Sequence, residues 1–200
     1  MYRKKSSAWA VLNVILVTSA LALAVAAGGG VAFGSQDAQA VTTVIVMRHA
    51  EKASSEGDPD LTPEGKERAD HLKQVLGWLP ISAVFSTCAK RALQTAEPLA
   101  QCLGLTVKPY KTIAEVVEKI RSPEFQGKTV FVMGHMGTAR DLIDNLGGTG
   151  TACPGFNHDE ICFAQITSDN KVQVLRFKYG TILEPVKCTQ RPSPSKPCEP

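Results

Sequence analysis

Two short apolar runs constrain this chain more than anything else in it. Val44-Ile45-Val46-Met47 leads straight into Arg48-His49-Ala50-Glu51, and Val130-Phe131-Val132-Met133-Gly134 leads into His135. Continuous β-branched and apolar residues, with no polar alternation, suit strands buried on both faces, as in a parallel sheet between helical layers. The segments between them have helical period. Thr62-Pro63 places a capping hydroxyl before a proline at the first helical position. Ala69, Leu72, Val75, Leu76 and Leu79 then recur at three- and four-residue spacing, which predicts a helix over 63–78. Ile81 to Phe85 reads as a strand. Ala92 to Leu103 reads as a helix stopped by Gly104, with a kink expected at Pro98. Further helices are predicted around Ile113 to Ile120 and Ala139 to Leu146. Ile161 to Thr167 and Lys171 to Phe177 read as strands joined at Ser168-Asp169-Asn170. Strands alternating with helices predict an α/β fold, a three-layer α/β/α sandwich with a mainly parallel sheet.

In such a sheet the ligand lies beyond the carboxyl ends of the strands. Three strand ends here carry Arg48-His49, Ser86-Thr87 followed shortly by Lys90-Arg91, and Gly134-His135. Two arginines beside two histidines have no core role. A cluster of that charge calls for an anion, and a phosphate fits, because a guanidinium meets its oxygens two at a time.

The ends of the chain have a different composition. Arg3, Lys4 and Lys5 precede an apolar run from Ala8 to Ala27, then a glycine-rich stretch and Ala38-Gln39-Ala40. Basic head, apolar middle and an A-x-A site predict a signal peptide over 1–40, cleaved after Ala40, with an uncleaved membrane anchor as the alternative. The protein is thus expected to be periplasmic or secreted, or anchored facing the outside. Residues 41–180 form the expected domain, and 181–200, with five prolines from Pro185 onward, form an extended tail. All six cysteines lie after residue 40, which favours disulfides in an exported protein. A bond between Cys188 and Cys198 is expected in the tail. The formal net charge of +3 is supplied by Arg3, Lys4 and Lys5, and no basic run suits nucleic acid. Contact with a membrane is expected only through the N-terminal segment, if that segment stays uncleaved.

Arg48-His49-Ala50-Glu51 after one strand, Ser86-Thr87-Cys88-Ala89-Lys90-Arg91-Ala92-Leu93-Gln94-Thr95-Ala96 after the next, and Gly134-His135 after a later one resemble the histidine phosphatase superfamily, also called phosphoglycerate mutase-like. The resemblance covers about Val44 to Gly180 and is nearest to small bacterial phosphatases of the RHAE type. It implies a phosphomonoesterase in which His49 attacks phosphorus and becomes phosphohistidine. Arg48, Arg91 and His135 would hold the phosphate oxygens. No cofactor and no metal are implied, and the chain lacks the aspartate cluster of a two-metal phosphatase. A neutral His49 requires a carbonyl on its other ring nitrogen. His135 is followed by Met136, so the aspartate that one branch of the family uses as proton donor is missing. The other branch places a glutamate between the second arginine motif and the later strand. Glu115 is the tentative donor, with Glu118, Glu124, Glu51, Asp58 and Asp60 as alternatives, or no donor at all.

Only 43 residues separate Arg91 from His135, too few for the enclosing segment of a mutase. The expected partner is a small-molecule phosphate ester, with an envelope sugar phosphate suggested by family analogy and compartment. A phosphohistidine-protein phosphatase and a non-catalytic envelope protein that binds a phosphorylated ligand remain as alternatives. His71 is expected to be solvated. His158 is expected on a surface loop or at the substrate entrance. Thr138, at a helix start, is a candidate phosphate contact, and Glu51 a partner for a loop or an arginine.

Overall fold

The core of the sheet forms where the two apolar runs pair. In the computed structural model, which describes residues 40–150, 153 and 157–179, β1 (Thr42–Arg48) lies parallel to β4 (Thr129–Gly134). β2 (Ile81–Ser86) pairs parallel with β4 on its other side, and β3 (Val107–Pro109) extends the sheet parallel to β2. β5 (Glu160–Ile166) and β6 (Val172–Lys178) complete it as an antiparallel pair, giving the order β3-β2-β4-β1-β5-β6.

Alternate residues of β1 and β4 enter two separate cores. Val44, Val46, Val130 and Val132 pack against α3 (Ile113–Arg121) and α4 (Thr138–Asn145). Ile45, Met47, Phe131 and Met133 pack against α1 (Pro63–Leu76) and α2 (Lys90–Leu103). The result is the expected three-layer sandwich with a mainly parallel sheet. All eight of these strand residues are at most 1% exposed. Burial of each contributes about 1.5–3 kcal/mol, so the strand ends that carry Arg48 and His135 are held firmly.

The helices begin and end for local reasons. Thr62 caps α1, its hydroxyl accepting from Gly65 N at 3.0 Å, with Pro63 in the first turn. Gly104 ends α2 in the left-handed conformation at φ 70°, where its N–H reaches the carbonyls of Ala100 and Gln101. The kink expected at Pro98 does not break α2, which continues through it from Lys90 to Leu103. β3 was not expected. It is three residues long and sits at the sheet edge, where Pro109 leaves no ladder partner unsatisfied.

Cys153 and Cys162 form a disulfide, which closes a short loop and contributes about 2–3 kcal/mol. Cys88, just before α2, and Cys102, in its last turn, are also disulfide-bonded. Among the described residues no cysteine is free. The expected leader over 1–40, apart from Ala40, the tail 181–200 and the Cys188–Cys198 bond lie outside the described residues.

Candidate active site

Parallel register brings three strand ends to one level. Arg48 pairs with Gly134, and Ser86 with Met133. Beyond the strands, His49 N donates to Gly134 O at 3.0 Å and Thr87 N to Met133 O at 3.3 Å. The chain then turns tightly from β4 into α4. A Cβ on Gly134 would overlap the Thr138 side chain, and Thr138 Oγ1 instead accepts from His135 N at 2.7 Å. Thr138 therefore sets the loop at the start of α4.

His49 is 4% exposed. Its Nδ1–H donates to Ala50 O at 2.7 Å, and its Nε2 accepts from Arg91 Nε at 3.2 Å. The carbonyl required for a neutral imidazole is present, supplied by the next residue. Arg91 Nη2 also approaches His135 Nδ1 at 3.5 Å, and Thr87 Oγ1 bonds His135 Nε2 at 3.1 Å. The rings of His49 and His135 meet edge to face with centroids 5.4 Å apart. Arg48, His49, Arg91 and His135 thus converge as the motifs predict.

Burial lowers the pKa of His49 to about 4, assisted by the charges of Arg91, His135 and Arg48 and opposed by the Ala50 bond. Burial and the charges of Arg91 and Arg48 likewise lower that of His135, against a smaller opposing pull from Asp58. A histidine with a depressed pKa is neutral through the whole physiological range and gains its proton only in acid. We expect the His49 ring resonances in an NMR titration to stay in the neutral form from pH 8 to pH 5 and to move near pH 4. Titration at the ordinary histidine value of ~6.5 would mean that the pocket does not hold the ring neutral.

A second set of residues holds the loops in place. Thr95 Oγ1 donates to Arg91 O at 2.6 Å and accepts from Ala50 N at 3.0 Å, tying the first loop to α2. Gln94 Oε1 accepts from Leu61 N at 2.9 Å, and its Nε2 donates to Asp60 at 2.8 Å. Asp58 accepts from Lys90 N at 3.0 Å and from Arg91 Nη1 at 3.3 Å, capping α2 in place of a residue of its own segment. Gln94 and Thr95 were visible in the R-A-x-Q-T-A motif, but nothing in their spacing disclosed these roles. Glu51 takes Arg68 Nε at 2.8 and 2.9 Å and Nη2 at 2.7 Å, which bears out its reading as an arginine partner. Burial alone would raise the Glu51 pKa, but the Arg68 bonds outweigh it and hold the carboxylate charged.

The structure does not bring Glu115 to this cluster. It lies in the first turn of α3, where its N–H donates to the Thr112 hydroxyl at 3.2 Å and its carboxylate accepts from Lys111 N at 2.9 Å and from Lys119 Nζ at 2.6 Å. This is capping chemistry, announced by the T-x-x-E spacing of Thr112 and Glu115. The Lys111 bond, and then Lys119, hold its pKa below the usual carboxylate value, the opposite of what a proton donor needs. Glu115, Glu118 and Glu124 line a separate cleft with Lys108 and Lys119. The lining of that cleft includes none of the four clustered residues.

His71, on α1, and His158, on the loop before β5, are both half-buried. They line one cleft of about 730 Å³ with Arg48, Glu51, Arg68 and Tyr179. His158 Nδ1 bonds the carbonyl of His49 at 2.6 Å, and the two rings lie 5.7 Å apart.

The model of the histidine phosphatase superfamily (branch 1) matches residues 44–117, the stretch that holds Arg48, His49 and Arg91. No curated protein sequence matches the chain. Solved structures do. The protein histidine phosphatase SixA, complexed with tungstate, is 22% identical with a TM-score of 0.55 over 68% of this chain and 96% of its own. A mycobacterial glucosyl-3-phosphoglycerate phosphatase is 14% identical with a TM-score of 0.53 over 67% and 97%. A structure described as mycobacterial hydrolase 1 is 15% identical with a TM-score of 0.56 over 68% and 96%. At these identities the shared property is the fold. Three ordered motifs meeting at the strand ends of that fold, over a match to the family's own sequence pattern at residues 44–117, make this chain similar to the histidine phosphatase superfamily, with a phosphoglycerate mutase-like fold.

Proposed function

We propose that this phosphatase hydrolyses a small phosphate monoester outside the cytoplasm, through a phosphohistidine on His49 and without a metal ion. The observation that carries the reading is the state of His49. Its Nδ1–H is held by the Ala50 carbonyl, so Nε2 keeps its lone pair, and that nitrogen faces the Arg91 guanidinium. A phosphate drawn to Arg91, Arg48 and His135 would place phosphorus against Nε2. Attack forms the N–P bond and expels the alcohol, and water then takes the phosphoryl group from His49. The two arginines offset the charge on the equatorial oxygens, which is the main demand of phosphoryl transfer.

Export is supported by the basic, apolar and A-x-A parts of residues 1–40 and by the Cys153–Cys162 bond. A sugar phosphate is supported only by the polar lining of the cleft beside Arg48. The second reading, a phosphatase for protein phosphohistidine, draws on the commitment of Glu51, Asp58, Asp60 and Glu115 to other partners, since an imidazole leaves without a carboxylic donor. One assay tests the main reading. Purified protein from residue 41 onward should turn over a chromogenic aryl phosphate equally well with and without a chelator. Loss of activity on chelation, restored by added metal, would overturn the metal-free mechanism, and no turnover at all would favour a binding protein.

A further inference from the structure

We propose that His158 is the proton donor to the leaving group, and that the cleft of about 730 Å³ beside it receives that group. This deepens the phosphatase reading and rests on it. Four observations meet at this side chain.

The first is position. The His158 ring lies 5.7 Å from the His49 ring and lines the same cleft as Arg48. A substituent on the Arg48 side of a phosphoryl group held at His49 would enter the cleft that His158 lines. The second is orientation. Nδ1–H is committed to the His49 carbonyl at 2.6 Å, so only Nε2 is left to exchange a proton. Among the described residues no group bonds Nε2.

The third is rigidity. The loop is closed by the Cys153–Cys162 bond, Asn157 bonds the Glu160 carboxylate, Tyr179 OH donates to His158 O at 3.2 Å, and Tyr179 N donates to Asp159 O at 3.1 Å. A donor held in this way needs no reordering in the transition state. The fourth is the state of the alternatives. Glu51 is paired to Arg68, Asp58 to Lys90 and Arg91, Asp60 to Gln94, and Glu115 to Lys111 and Lys119. Glu51 and Asp159 line the same cleft as His158.

The proton balance closes within the site. As the His49 Nε2–P bond forms and the ester P–O bond breaks, His158 Nε2–H gives its proton to the departing oxygen. In the second half-reaction neutral His158 takes a proton from water as the oxygen bonds phosphorus and His49 leaves. Ester and water become alcohol and phosphate, with both histidines returned to their starting forms.

The test uses the exported protein and two esters. His158→Asn keeps an N–H able to reach the His49 carbonyl and removes the titrating nitrogen. It should slow an alkyl phosphate such as glycerol phosphate by about 10²-fold or more, the scale of general acid catalysis. It should slow p-nitrophenyl phosphate, whose leaving group needs little help, by less than about tenfold. His158→Ala, which also loses the bond to the His49 carbonyl, should show the same excess loss on the alkyl ester on top of a common loss. Equal slowing of both esters by His158→Asn would overturn the proposal and leave His158 as a positioning residue for His49. Failure of the wild-type protein to turn over either ester would instead refute the phosphatase reading itself.

Discussion

His49→Ala should abolish turnover of every phosphate ester and leave no covalent phosphoprotein. The substitution removes the nucleophile of the proposed mechanism, and the neighbouring His135 is not expected to substitute for it. The Nε2 of His135 is bonded to the Thr87 hydroxyl at 3.1 Å, and its Nδ1 faces Arg91. Neither nitrogen carries the arrangement found at His49, where one nitrogen is closed by a carbonyl and the other left to accept. The alanine variant should still fold. The strand below it, with Val44, Ile45 and Val46 fully buried, supplies the packing. Steady-state assays on aryl and alkyl esters, with a thermal melt as control, measure both points. Substantial residual turnover in a folded variant would show that the nucleophile lies elsewhere.

Arg91→Ala should cost about 10²–10³-fold in kcat/KM, the usual effect of losing one preorganised donor to a transition-state oxygen. Arg91 has a second task. Its Nε bonds His49 Nε2, so it holds the nucleophile in place before the phosphate arrives. Arg91→Lys should recover little of the loss, because an ammonium does not reproduce a fork that reaches His49, His135 and Asp58 together. Arg48→Ala should fall within the same range. If Arg91→Lys kept most of the activity, the guanidinium geometry would not be what matters.

The parts of the site that sequence disclosed are those fixed by strand periodicity. Arg48, His49, Gly134 and His135 follow continuous apolar runs. A chain that packs those runs into a parallel sheet has no choice about where the next residues go. Arg91 follows from the same logic one turn into α2. What stayed hidden depends on contacts that have no period. Thr95 and Gln94 act on backbone groups of Ala50 and Leu61, far away in the chain. His158 reaches His49 from a separate loop, across 109 positions, and a histidine in a polar loop looks the same whether it is solvated or folded back.

Glu115 shows the opposite error. Its place in the chain matched the family's donor, but its helix N-terminus claimed the carboxylate first. The capping signature of Thr112 and Glu115 was present in the sequence and pointed to the simpler role. β3 escaped for a different reason. Three residues ending in proline carry no pattern, and the strand exists only because β2 offers it an edge.

The central claim is that His49 carries the phosphoryl group. A rapid-quench experiment with a radiolabelled phosphate ester, followed by digestion and peptide mapping, tests it most directly. The account predicts label that is lost in acid, kept in alkali, and confined to the peptide containing His49, with none in the His49→Ala variant. Turnover without any labelled peptide in the presteady state, or label on a residue other than His49, would contradict it.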